Sequence, residues 1–121
     1  MKYKTKLSYQ QKILRVLSYI KSNLDEALDL SRLASLACMS EHHFHRIFSE
    51  IVGEGVKSHV RRLKLERSIK ELAVSRKAIT DIAFTAGYNT LEAFSRVIKA
   101  KYGRTPSQIR NTVHQLSLIH I

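Results

Sequence analysis

The stretch that decides the fold runs from 81 to 103 and reads DIAFTAGYNTLEAFSRVIKAKYG; an earlier stretch, 33 to 53, LASLACMSEHHFHRIFSEIVG, repeats its pattern. Leu33-Ala34 matches Ile82-Ala83 and Ala37 matches Ala86, at a separation of 49 residues. Past the turn, Ser40, Phe44, Arg46, Ile47 and Gly53 match Thr90, Phe94, Arg96, Val97 and Gly103 at a separation of 50, so the second turn is one residue longer. Each copy holds a short apolar stripe, a turn, and a Ser or Thr able to accept a backbone N–H where a helix starts. Inward apolar positions then recur at helical spacing, and an Arg stands six residues past the cap. A short helix, a tight turn and a second helix make a helix-turn-helix, and this chain carries two.

Outward from the repeat, Ile13, Leu17, Ile20 and Leu24 alternate with Lys12, Arg15 and Lys21, which predicts an amphipathic helix over 10–24. Ser31 is expected to cap a short helix over 31–37. Ser40 is expected to cap one that reaches 52, with Phe44, Ile47, Phe48 and Ile51 inward. Gly53 and Gly55 end it. A longer basic helix over 56–74 sets Val56, Val60, Leu63, Ile69, Leu72 and Ala73 among Lys57, Arg61, Arg62, Lys64, Arg67 and Lys70. A short helix over 79–86 follows, then one capped by Thr90 and stopped by Gly103. A last short helix opens at Thr105-Pro106 and extends through Arg110 to about Val113. The expected fold is all-α with about seven helices. Its organisation is a basic extension over 1–9, a first helix-turn-helix subdomain over 10–55, a connecting helix over 56–75, a second subdomain over 76–113 and a tail over 114–121.

Composition agrees with a helical, basic, globular chain. The 121 residues carry 21 Lys+Arg against 10 Asp+Glu, a net charge of +11, while 44% hydrophobic residues supply a core. Four glycines and one proline are too few to punctuate a strand-and-turn architecture. The single cysteine, Cys38, excludes an intramolecular disulfide and a Cys-based zinc finger, and it fits a reducing compartment. No run approaches the length of a membrane span, and no apolar segment follows the basic N-terminus as a signal peptide requires. Positive charge spread through a folded chain points to a polyanion, nucleic acid ahead of an anionic membrane.

A helix about 10–12 Å across fits a DNA major groove about 12 Å wide, and its exposed N-terminal half reaches base edges. Two such helices reading one face of a duplex must lie about 34 Å apart. The helix over 56–74 would be about 28 Å long at 1.5 Å per residue, enough for an internal strut that replaces the usual dimer.

The runs Asp81-Ile82-Ala83-Phe84-Thr85-Ala86-Gly87-Tyr88, Glu92 through Lys99, and Tyr102-Gly103-Arg104-Thr105-Pro106-Ser107-Gln108-Ile109-Arg110 carry a further likeness. Together they resemble the DNA-binding domain of the AraC/XylS family of bacterial transcription regulators, over residues of about 10 to 110. Phe44-His45-Arg46-Ile47-Phe48 and Arg61-Arg62-Leu63-Lys64-Leu65-Glu66-Arg67 are similar to the branch in which this domain precedes a GyrI-like effector-binding domain. This chain contains no such partner domain and is as short as stand-alone members, so it either works alone or is the DNA-binding part of a longer regulator. The resemblance implies base contacts from Glu41, His42, His45 and Arg46 in the first recognition helix and from Leu91, Glu92 and Arg96 in the second. These residues also fall on the polar face of each predicted helix. Phosphate contacts are expected from Arg62, Lys99 and Arg104, from the cap residues Ser40 and Thr90, and at helix starts near Gly55 and Pro106. The implied partner is double-stranded DNA, bound as a monomer, with RNA polymerase a further candidate. No cofactor and no membrane is implied. Activation is favoured over repression, in the cytoplasm at the nucleoid.

Several residues invite other readings. His42 and His45 are i,i+3 neighbours, but zinc wants four ligands and no Cys/His cluster lies near them. Cys38 reads as a small buried residue, standing where many such turns carry a glycine with left-handed backbone. Phe44, Phe48, Phe84 and Phe94 read as core, which removes the stacking platform that single-stranded RNA needs. The chain has no Gly-rich phosphate loop, no HExxH pair and no recognisable Ser or Cys nucleophile, so no catalytic role is expected. The alternative is a basic helical module docking on acidic protein or an anionic membrane surface; DNA binding that falls steeply with salt discriminates against it.

Overall fold

The computed structural model describes residues 3–119, with side chains from Lys6 to Val113, and forms seven α-helices with no strand among them. They are α1 (Tyr3–Ser22), α2 (Leu30–Leu36), α3 (Glu41–Val52), α4 (Val56–Val74), α5 (Ile79–Thr85), α6 (Leu91–Tyr102) and α7 (Pro106–Ile119). The chain divides into two compact units, and the division falls inside α4, between Leu63 and Lys64.

In the first unit α1 begins at Tyr3, earlier than the expected start near Gln10, and ends at Ser22. Tyr9 explains part of the extension: its ring meets that of His43 edge-on, centroids 5.4 Å apart, so the early turns of α1 have a partner on α3. Asn23 Nδ2 donates to Tyr19 O at 2.8 Å, satisfying a carbonyl of the last turn, and Leu24 is buried beyond the helix end. Ile13, Val16 and Ile20, at i, i+3 and i+7, are fully buried against Leu33, Ala37, Phe44 and Phe48. The cap of α2 is Asp29, not the expected Ser31. Its carboxylate accepts from Ser31 N at 2.7 Å and from Arg32 N at 3.2 Å.

The second unit repeats the plan. Ile82, Ala83, Phe94 and Ile98 are buried with Leu65 and Leu72 of α4. The α7 start is a reciprocal capping box, Gln108 N donating to Thr105 Oγ1 at 3.2 Å and Thr105 N to Gln108 Oε1 at 2.9 Å. This helix runs to Ile119, so residues expected to form a tail from 114 continue it. Arg110 reaches back from α7 to the C-terminal end of α4, donating from Nε to Leu72 O at 3.2 Å and from Nη2 to Ser75 O at 3.3 Å. It thereby fills carbonyls that α4 leaves open.

The turns set the direction of α3 and α6. Met39 N donates to Ala34 O and Tyr88 N to Ala83 O, each at 3.0 Å, closing the six-residue turn that ends a helix on a left-handed residue. That residue is Cys38 at φ 55 in the first unit and Gly87 at φ 97 in the second. Cys38 is the only non-glycine with positive φ among the described residues, and its side chain is exposed rather than buried. Two further inward assignments fail. Phe84 is 53% exposed because it lies past the edge of the stripe formed by Ile82 and Ala83, while Ile51, in line with Phe44, Ile47 and Phe48, is 37% exposed in the last turn of α3.

Candidate nucleic-acid interface

In the first unit α3 is held by both ends and from beneath. Ser40 Oγ accepts from His43 N at 3.3 Å, and Gly53, at φ 88, closes the C-terminus with its N–H on Ser49 O at 2.9 Å. Phe44, Ile47 and Phe48 are buried below. The opposite face of the first turn and a half exposes Glu41, His42, His45 and Arg46, the expected base readers. His43, between them, is half-buried against Tyr9. His45 stands at the rim of a shallow groove lined by Leu28, Leu30 and Val56.

α6 has the same build. Thr90 Oγ1 accepts from Ala93 N at 3.1 Å, Gly103 at φ 75 places its N–H on Lys99 O at 2.8 Å, and Phe94 and Ile98 are buried. Leu91, Glu92, Arg96 and Lys99 are exposed on one arc of the helix. Within each unit, therefore, the expected readers come together; they correspond position by position as Glu41 to Leu91, His42 to Glu92 and Arg46 to Arg96.

The expected phosphate contacts divide. Lys99 projects freely into solvent, and Arg104 is exposed while Nη1 donates to Thr112 Oγ1 at 2.9 Å. Ser40 and Thr90 already accept a backbone N–H through their hydroxyl oxygens, which leaves each O–H proton to donate outward. Pro106 itself is buried and has no N–H, and of its neighbours Thr105 N and Gln108 N are engaged in the capping box, so a contact at this helix start falls to Ser107 N. Arg62 is engaged: Nε donates to Glu54 Oε1 at 2.9 Å, and Nη2 lies 2.8 Å from the same oxygen.

That ion pair is part of a cluster which sequence reading did not find. His59, nearly buried, sets Nδ1 3.1 Å from Glu54 Oε1 and its ring edge-on to Phe48 at 5.7 Å. The Arg62 hydrogen bond is the main influence lowering the Glu54 pKa; desolvation opposes it, and His59 adds to it. The cluster fixes the corner between α3 and α4. Its one visible signal is the i,i+3 spacing of His59 and Arg62. The acceptor comes from the loop, where spacing says nothing.

Among the described residues no group of three or more His, Cys, Asp or Glu could hold a metal, and His42 and His45 gain no further ligand. No described helix is long and apolar enough to cross a membrane.

Two capped, exposed helices, each behind its own tight turn, define a double helix-turn-helix protein. A family profile described as a helix-turn-helix domain matches residues 33–112. The Tn10 TetD protein of Escherichia coli is 31% identical over 106 residues, covering 87% of this chain and 77% of that protein. The regulatory protein SoxS of Salmonella typhimurium is 29% identical over 105 residues, with 87% of this chain and 98% of SoxS covered. The HTH-type regulator YbfP of Bacillus subtilis is 30% identical over 102 residues, 84% of this chain but 35% of YbfP's length. In fold, the chain is similar to an AraC-type regulator from Chromobacterium violaceum, with a TM-score of 0.76, 24% identity and 88% and 95% of the two chains covered. It is similar also to the DNA-binding domain of AdpA, solved with a target DNA, with a TM-score of 0.69, 21% identity and 84% and 91% coverage. The chain belongs to the helix-turn-helix family of AraC-type DNA-binding domains found in bacterial transcriptional regulators.

Proposed function

We propose that this chain is a sequence-specific transcriptional regulator that binds double-stranded DNA with one recognition helix in each of two successive major grooves. The observation that carries the reading is the matched pair of α3 and α6. Each is 12 residues long, starts on a hydroxyl cap, ends on a left-handed glycine, buries a Phe and exposes an Arg six residues past its cap. A duplex site of two half-sites needs such a pair of probes about 34 Å apart, and a helix of the 19 residues of α4 measures about 28 Å. The net charge of +11 supplies the attraction to phosphate.

Arg46 and Arg96 each offer a guanidinium fork to guanine O6 and N7, with His42, His45 and Glu41 beside the first and Leu91 and Glu92 beside the second. Lys99, Arg104 and the hydroxyls of Ser40 and Thr90 contact phosphates. Arg62 faces the backbone while gripped by Glu54. The protein acts as an activator through RNA polymerase in the bacterial cytoplasm, binding as a monomer.

Selection of bound duplexes from a random pool, followed by hydroxyl-radical footprinting, tests this reading. The expected result is a bipartite motif with two protected patches about one helical turn apart and affinity that falls steeply with salt. Binding to anionic vesicles that duplex DNA cannot compete away would overturn it. Transcription in vitro from a promoter carrying the selected site is expected to rise; a fall makes the protein a repressor.

A further inference from the structure

We propose that Glu92 is a specificity-determining residue that reads cytosine in the half-site bound by α6, so that the two half-sites differ in chemistry although their reading helices share one architecture. The inference rests on the proposed DNA-binding function and goes beyond it by assigning a base to a side chain.

The repeat permits comparison of α3 and α6 position by position. Both helices carry an exposed Arg six residues past the cap, and four residues before it stand His42 in α3 and Glu92 in α6. Side chains four apart lie one above the other on a helix, about 6 Å along the axis, which spans one to two base-pair steps of 3.4 Å. Arg96 and Glu92 are thus placed to address neighbouring base pairs. Among the described residues, neither makes a hydrogen bond or ion pair within the chain, so both present their full polar capacity outward.

The two side chains have opposite requirements. Arg96 only donates and finds its match in guanine O6 and N7; an ionised Glu92 only accepts and needs an amino group. The major groove offers that group on cytosine N4 and on adenine N6, but adenine sets the N7 acceptor beside it and repels a carboxylate. Cytosine is the remaining partner. Leu91, 40% exposed at the first position of the helix, adds an apolar contact suited to the methyl of a neighbouring thymine.

A carboxylate at the reading surface also acts against wrong sequences. Opposite guanine O6 or thymine O4 it meets another acceptor, and opposite phosphate it is repelled, so poor sites are penalised as well as the right one favoured. In α3 His42 can donate, so the equivalent position there tolerates the acceptors that Glu92 rejects. An acid in the first turn also suits the helix dipole, but that role predicts no base preference, and Glu92→Gln separates the two.

The experiment is pool selection with the full chain, run in parallel for the unaltered protein and Glu92→Gln, with Arg96→Ala as a marker of the α6 half-site. The expected outcome is a cytosine beside the Arg96-dependent guanine for the unaltered protein. For Glu92→Gln that column moves to adenine, which a glutamine reads through N6 and N7, while the α3 half-site is unchanged. Anisotropy titrations on the cytosine and adenine duplexes should show a preference of roughly tenfold for cytosine that reverses or disappears in the variant. If the selected motif is identical for both proteins, and Glu92→Gln tightens binding to all duplexes alike, the assignment of Glu92 is overturned while the DNA-binding function stands. If the unaltered protein selects no motif, the proposed function itself fails, and this inference with it.

Discussion

Replacing Cys38 by glycine should stabilise the first helix-turn-helix, and replacing Gly87 by alanine should destabilise the second. The two residues occupy the same place in their turns, each closing a helix with positive φ, 55 at Cys38 and 97 at Gly87. Left-handed backbone penalises a residue with a Cβ by about 1–2 kcal/mol. Glycine returns roughly 0.5–1 kcal/mol of that as extra freedom in the unfolded chain. Cys38 is exposed and loses few contacts, so Cys38→Gly should gain about 0.5–1 kcal/mol. At Gly87 no heavy atom lies within 4 Å of an added Cβ, so Gly87→Ala should lose a similar amount through conformation alone. For a chain of this size about 1 kcal/mol moves Tm by roughly 3–5 °C. Circular dichroism during thermal unfolding reads the total, and amide hydrogen exchange at Phe44 and Ile47 against Phe94 and Ile98 assigns it to a unit. A destabilised Cys38→Gly protein, or a Gly87→Ala protein of unaltered stability, would refute the reasoning.

Arg46→Ala and Arg96→Ala should each weaken binding to the selected duplex by about 1–3 kcal/mol and blur one half of the motif. Lys99→Ala should weaken all sequences alike and lower the salt slope by about 1, both read by anisotropy at several ionic strengths. Arg110→Ala should destabilise the second unit by about 2 kcal/mol in urea unfolding, because two carbonyls at the end of α4 lose charged donors. Glu54 has a lowered pKa in the folded chain, so its ion pair stabilises above the ordinary value of 4.5 and loses that contribution as acid titrates the carboxylate below it. Stability followed by circular dichroism should fall as pH drops through that range, and the fall should be shallower in Glu54→Gln.

Much of this architecture could be read from residue order because local rules repeat. The caps Ser40 and Thr90, the glycines 53 and 103 and the buried Phe44 and Phe94 all fall at fixed offsets, and the step from 49 to 50 is the extra residue between Gly87 and Thr90. What escaped depends on contacts across the chain. The early start of α1 relies in part on Tyr9 meeting His43, which no periodicity encodes. Leu65 falls outside the inward set expected of α4, yet it is 5% exposed, because it packs in the second unit's core with Leu72, Ile82 and Phe94. Pro106 marks the helix start, but packing buries its ring, and the Thr105–Gln108 box takes up two of the backbone N–H groups around it. The Glu54 cluster joins a loop acid to two residues of α4 and is visible only once the corner is built.

Val60 and Leu63 of α4 pack on the core of the first unit, while Leu65 and Leu72 belong to that of the second. Each reading helix rests on side chains of its own unit, Phe44, Ile47 and Phe48 under α3 and Phe94 and Ile98 under α6. A library that randomises the outward positions of α6 leaves the α3 foundation intact, so new target words could be assembled from separately chosen syllables.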